Sequence, residues 1–373
     1  MNSVRLLSRK DIEKYVRLIK SGYLEAELEG VHYGTYLKTR EELIEWLIKI
    51  PTWGLFNDKN MLIAALSLQF GWHRASKKDT KNKIILFKHG VVAPGFKGNG
   101  NFQYLFRWIE NNIVKRVLRA NSVFLETDLR FSKSEDLYIK RLGFHVSQQY
   151  ECKDGCTLLE KSYKYDFLPD AIDCDDTFRF LDLTIRMLTE EDYKEYWLVL
   201  YEGSKSSLAE GIDYSFGHFA EDECRRFLIE LPTWGLFNIH GQLISVMSCE
   251  FPWQLTCSNK QRAHVLLRQG VMQKKYYRYL IKSKKLELYK NNWNCRVFNK
   301  NARFSLYNVL CDYVIGHFLV DMLKCTIIFS DTAYGSQAMN IEIKDWGMEI
   351  VEHIYSYKST PHAVLLRKNF IYE

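Results

Sequence analysis

Residues 91–102 read VVAPGFKGNGNF. Upstream lies an unbroken apolar run, Ile84-Ile85-Leu86-Phe87, and downstream Phe102, Leu105, Phe106, Ile109 and Ile113 recur at helical spacing. The stretch therefore joins a strand to a helix through a turn that carries Gly95, Gly98 and Gly100. Glycine lets the main chain turn sharply and approach another group closely. The first N–H groups of the following helix have no partner within the helix, so an anion, most commonly a phosphate, is their natural guest. On the glycines alone, a plain strand-to-helix connection explains the turn equally well.

The chain has 373 residues, of which 47% are apolar and 26% charged, long enough for two domains with cores of their own. The N-terminus MNSVRLLSRKDIEKY lacks an uninterrupted apolar stretch, and the apolar run 314–329 is broken by Asp321 and Lys324. Neither a secretory leader nor a membrane span is expected. Nine cysteines in no regular framework suit a reducing, cytoplasmic setting. The closest pair, Cys152 and Cys156, has no second pair or histidine beside it, so no metal is expected. A net charge of +7 suits anionic ligands and does not call for nucleic acid.

IPTWGLFN at 50–57 recurs as LPTWGLFN at 231–238, and the same offset superposes VRLLSRKD on IRMLTEED and EGVHY (29–33) on EGIDY (210–214). A constant offset over that distance is the mark of duplication, and the unit is too large for a solenoid. Two similar domains are expected: 1–163, an acidic linker at 164–183, and 184–373 with an insertion near 273–297.

In the first copy the pattern predicts strand 4–7, helix 9–19, helix 39–49 stopped by Pro51, a hairpin of 53–56 with 61–70, and strand 83–92 feeding the glycine turn. After the long helix come strand 122–127, a short helix at 135–141, and a closing hairpin of 144–150 with 157–163. That order gives a mixed α/β sheet.

The string Val92-Ala93-Pro94, two residues, then Lys97-Gly98-Asn99-Gly100-Asn101-Phe102 resembles the coenzyme A loop of the GCN5-related N-acetyltransferases, and the element order over 1–163 is similar to theirs. Lys97 stands for the usual Arg or Gln, and Phe102 for a small residue. The resemblance implies a tandem acyl-CoA N-acyltransferase fold, with acetyl-CoA as co-substrate bound through Lys97, Gly98, Asn99, Gly100 and Asn101. It also implies that the thioester lies between the splayed strands 84–92 and 122–127, polarised by a main-chain amide of Val91 or Val92. The amine then attacks directly within a ternary complex.

The attacking amine has to lose a proton. His89, Glu126 and Asp128 are the candidate bases, with a buried structural histidine and a turn cap as the plain readings of the first and last. The family's thiolate acid is a tyrosine in Tyr-x-x-Leu-Gly-Phe. Here Ile139 holds that place and Tyr138 precedes it, an offset of about 100° around a helix.

The acceptor is expected over Glu29, His32, Tyr33 and Tyr36. Glu29-Gly30-Val31-x-Tyr33, the VVAP turn and the second lobe also resemble, more distantly, the animal histidine N-acetyltransferase group; a small amine or amino acid is expected as acceptor, since the second lobe is expected to cover one side of the cleft. In the second copy Lys300 and Ala302 replace Gly98 and Gly100. The alternative is a non-catalytic module whose insertion, with Lys274, Lys275, Tyr276, Tyr277 and Arg278, engages a protein or nucleic-acid partner.

Overall fold

A computed structural model of the chain describes residues 2–28, 30–31, 33–70, 84–129, 132–147, 156–166, 177–180, 182–209, 211–212, 219–251, 264–273, 276, 297, 305–355 and 361–370. The strands of the first half are β1 (Ser3–Leu6), β2 (Thr52–Phe56), β3 (Leu62–Phe70), β4 (Ile84–Val92), β5 (Ser122–Thr127), β6 (His145–Val146) and β7 (Thr157–Ser162). They form one sheet in the order β1-β2-β3-β4-β5-β7-β6. Only the β4/β5 pair is parallel.

Every residue of β2, TWGLF, is buried, because helices cover both faces of the sheet. On one face α1 (Ile12–Leu28) and α2 (Arg40–Lys49) lay Tyr15, Leu18, Ile19, Leu43 and Leu47 against Phe56, Ala65 and Val91. On the other, α3 (Asn101–Ile109) packs Phe102, Leu105, Phe106 and Ile109 with Trp53, Leu66 and Phe87. Thr39 caps α2 with a reciprocal Glu42 contact.

The second half repeats the plan with β8 (Phe178–Phe180), β9 (Leu183–Met187), β10 (Thr233–Phe237), β11 (Leu243–Glu250), β12 (His264–Met272), β13 (Ile327–Ala333), β14 (Glu349–Tyr355) and β15 (Pro361–Asn369). Their order is β14-β15-β13-β12-β11-β10-β9-β8, again with one parallel pair, β12/β13. Local contacts repeat too. Arg5 pairs with Asp11 and lies 3.8 Å from the Phe56 ring; Arg186 pairs with Asp192 and lies 4.1 Å from Phe237.

Two boundaries differ from the sequence reading. The second sheet begins at Phe178, inside the expected linker, because Phe178–Phe180 pairs with β9 as an edge strand. Helix α1 runs to Leu28, well past residue 19, since Gly22 and Ala26 continue its buried stripe. The turn of the closing hairpin, Lys300 and Ala302 of the second copy, and most of the insertion lie outside the described residues. Among described residues no helix is long and apolar enough to cross a membrane, and no group of side chains is arranged to hold a metal ion.

Candidate active site

The opening between β4 and β5 follows from their register. The parallel ladder runs from Ile84↔Ser122 to Phe87↔Leu125 and stops there, although β4 continues to Val92. Toward β3 the register slips, with Ser67 opposite Lys88 and Ala65 opposite Val91, so that Leu66 faces both His89 and Gly90. This is a β-bulge, which bends the strand and increases its twist. His89 takes the left-handed conformation it requires, at φ +52. Beyond the bulge, β4 leans away from β5.

Helix α1 seats itself on the bent part. A Cβ on Gly22 would collide with Val91 Cγ2 and lie 3.1 Å from the Val92 carbonyl, so only glycine allows this approach. Past Val91 the main chain of Ala93 donates to Ile63 O at 2.9 Å. Since alternate amides of a strand face opposite edges, the N–H of Val92 points to the edge that β5 has left.

A cavity of about 590 Å³ fills the opening. One end is the glycine turn. Ala93 leads into a 3-10 turn, Pro94–Phe96, and the Asn101 side chain donates to Phe96 O at 2.9 Å, closing the loop on itself. Gly98 and Gly100 have φ of +81 and +73, and a Cβ on Gly98 would meet nothing within 4 Å. Gly100 precedes α3 without any side-chain cap, leaving the first N–H groups of the helix directed at the cavity end. Gly98, Gly100, Asn101, Val91 and Val92 line the cavity. Phe102 forms part of the cavity wall, its ring over Gly90, 3.1 Å from where a Cβ would stand.

The other end is aromatic and charged. Tyr138 lines the cavity and meets Phe102 and Phe144 edge to face, with centroids 6.0 and 6.3 Å apart. Its segment, Glu135–Arg141, is π-wound, with Leu142 N donating to Leu137 O. The wider turn shifts the helix phase and brings Tyr138 to the wall. Burial raises the Tyr138 hydroxyl above its ordinary pKa, so it is held as a proton donor. Tyr33, at the rim, lies 3.3 Å from Thr127 Oγ1. Tyr23, whose pKa burial also raises, donates to Gly90 O at 3.3 Å.

Of the three candidate bases, His89 and Glu126 line the cavity and Asp128 does not. His89 is buried, with Nδ1 2.7 Å from the Tyr15 hydroxyl and its ring stacked on Trp46 at 4.0 Å. Burial, then the charges of Lys38 and Lys88, push its pKa down to about 3. Glu126 lines the cavity and forms an ion pair with Lys88, one step past the last rung of the ladder. Asp128 is buried beyond the end of β5 and is not among the lining residues. Lys97 turns its ammonium to Glu25 and to Gly22 O. Glu29 and His32 lie outside the described residues, and Tyr36 is placed only by its main chain, in the turn Gly34–Leu37.

Sequence reasoning passed over Tyr23, Glu25, Lys88 and Lys133, all on the cavity wall. The available signal was Gly22, a helix-breaking residue inside a helical stripe.

The second lobe repeats the parting of the strands, but its helix start differs. Its ladder stops at Leu267↔Ser330, Gln269 occupies the bulge at φ +48, and Gly203 abuts Val271. Yet the helix Leu306–Asp312 is capped by Ser305, whose hydroxyl accepts from Asn308 N at 3.1 Å. Tyr307 crowds Gly270 and stacks on Trp346 at 5.9 Å.

No family model matches the chain, and no curated protein matches it. Solved structures do. The PaiA N-acetyltransferase of Thermoplasma acidophilum in complex with coenzyme A is 17% identical, covering 44% of this chain and 99% of its own, at a TM-score of 0.35. A GNAT-family acetyltransferase of Streptococcus agalactiae is 14% identical, covering 44% and 96%, at 0.36. The NatC complex bound to Gag peptide and coenzyme A is 18% identical, covering 44% and 99%, at 0.32. Strand order, the lone parallel pair and the parted strands recur in both halves, so the described residues form two lobes of one mixed α/β plan, a fold that resembles that of the GCN5-related N-acetyltransferases.

Proposed function

We propose that the chain is an acyl-CoA-dependent N-acyltransferase, acting on a small-molecule amine or amino acid, with its chemistry in the first lobe. The observation that carries this reading is one cavity joining an uncapped helix start, two left-handed glycines and the open edge of β4. The diphosphate of acetyl-CoA would sit on the N–H groups at Gly98, Gly100 and Asn101, and its extended arm along the free edge of β4.

The roles of the side chains follow. The N–H of Val92 would face the negative charge that develops on the thioester oxygen. The amine nitrogen bonds to the acyl carbon, the C–S bond breaks, the amine proton passes to Glu126, and Tyr138 protonates the departing sulfur. Glu126 is preferred to His89 as base, because a ring with pKa about 3 that already faces Tyr15 takes up a proton poorly at neutral pH.

One observation favours the non-catalytic reading of Glu126. The Lys88–Glu126 pair has a counterpart in the second lobe, Arg268 with Asp331 at 3.0 Å, where no glycine cradle is seen among the described residues. A thiol-release screen over amines and amino acids with acetyl-CoA decides between them. Turnover that Glu126→Gln abolishes supports the base. Saturable coenzyme A binding without turnover of any amine supports a binding module.

A further inference from the structure

Three segments around the cavity mouth meet at one carboxylate. Glu25, on α1, pairs through one oxygen with Lys97 of the glycine turn and through the other with Lys133, which follows β5. Lys97 also donates to the Gly22 carbonyl at 3.1 Å. Glu25, Lys97, Lys133 and Gly22 all line the cavity. The Glu25 side chain is 32% exposed and that of Lys97 28%, so the pair is neither lost in solvent nor locked in the core. Hydrogen bonds from Lys133 and Lys97 hold the Glu25 carboxyl below its ordinary pKa.

Lys97 has a second partner open to it. It adjoins Gly98, at the same end of the cavity as the uncapped start of α3. A diphosphate bound there carries more charge and more acceptor oxygens than one carboxylate, and a lysine ammonium on a flexible stem reorients easily. Glu25 and a bound diphosphate therefore compete for the same ammonium.

We propose that Glu25 is a charge latch on the coenzyme A site. It parks Lys97 against α1 when the cradle is empty and yields it to the diphosphate on binding, untying the glycine turn from α1. This rests on the acyl-CoA reading of the cavity. Glu25 is a positioning residue here, since it acts through Lys97.

The latch has a sign that a purely structural ion pair lacks. Removing Glu25 frees Lys97 in advance, so coenzyme A should bind more tightly. Titration of coenzyme A into the full chain, followed calorimetrically, is compared for the unaltered protein, Glu25→Gln, Lys97→Ala and the double variant, with thermal melting to verify folding. The expected result is a three- to tenfold tighter Kd in Glu25→Gln, a weaker Kd in Lys97→Ala, and no gain from Glu25→Gln once Lys97 is gone. Glu25→Asp, one methylene shorter, should give a smaller gain of the same sign and serves if the glutamine variant folds poorly. Unchanged or weaker binding in the Glu25 variants overturns the latch, as does a gain that persists without Lys97. Failure of the unaltered chain to bind coenzyme A overturns the acyl-CoA reading itself, and the latch with it.

Discussion

The hydroxyl of Tyr15 lies 2.7 Å from Nδ1 of His89, and in the second lobe Tyr196 makes the same contact with Gln269. Both partners sit at the left-handed bulge position and precede a glycine. The lobe with a self-capped helix keeps the contact with an amide, which cannot act as a base at neutral pH. The shared task is to hold the bulge.

His89→Gln should therefore fold and retain activity within about threefold, a change worth under 1 kcal/mol. Tyr15→Phe should cost about 1–3 kcal/mol by leaving the histidine nitrogen unpaired. The folded pKa of about 3 lies below the ordinary value of 6.5, so the unfolded chain takes up the proton first. Stability from this group is complete above pH 6.5 and is lost as pH falls toward 3. Melting temperature measured from pH 7 to 4 should drop less steeply in His89→Gln than in the unaltered chain.

Gly98 and Gly100 should tolerate no side chain. A Cβ has room at Gly98, but a positive φ costs any other residue about 1 kcal/mol, and a methyl group would stand between amide and ligand. Gly98→Ala or Gly100→Ala should weaken coenzyme A binding at least roughly tenfold, or 1.4 kcal/mol. Replacing both by aspartate should abolish it. Calorimetric titration reads both effects, and unaltered affinity in the double aspartate variant would contradict the cradle.

Tyr138→Phe should lower kcat by roughly a hundredfold, the usual scale for loss of a general acid, with the KM for acetyl-CoA little changed. Ile139→Val should leave both constants alone, since Ile139 is not among the residues that line the cavity. Steady-state kinetics separates the two. Equal losses in both variants would remove Tyr138 from the chemistry.

In the second lobe Glu342 is buried, with Oε1 accepting from Ser330 at 2.9 Å and Oε2 without a partner. Burial raises its pKa to about 8, so the carboxyl is neutral at pH 7. Its folded pKa exceeds the unfolded value, so stability is complete below about pH 4.5 and declines as pH rises through 8. Denaturant unfolding at pH 5 and pH 9 should differ by a few kcal/mol more in the unaltered chain than in Glu342→Gln.

Much of the scaffold was legible in the primary structure, because duplication and periodicity are written along the chain. The strand 122–127 and the short helix 135–141 fall where the pattern puts them. The offset between Tyr138 and Ile139 was visible as well. Its resolution was not, since π winding changes the phase of a helix without marking its residues. His89 does reach the cavity wall, but its place at a left-handed bulge was not legible, since a bulge carries no sequence signature. Glu25 stayed hidden because its partners are 72 and 108 residues away.

A helix glycine against a strand valine, Gly22 on Val91 and Gly203 on Val271, occurs both in the lobe with an uncapped helix start and in the one whose helix start is self-capped. The gap in the sheet is thus a standing property of the architecture. On the acyl-CoA reading, an incoming thioester would find its slot already cut, and none of its affinity would go into prying strands apart.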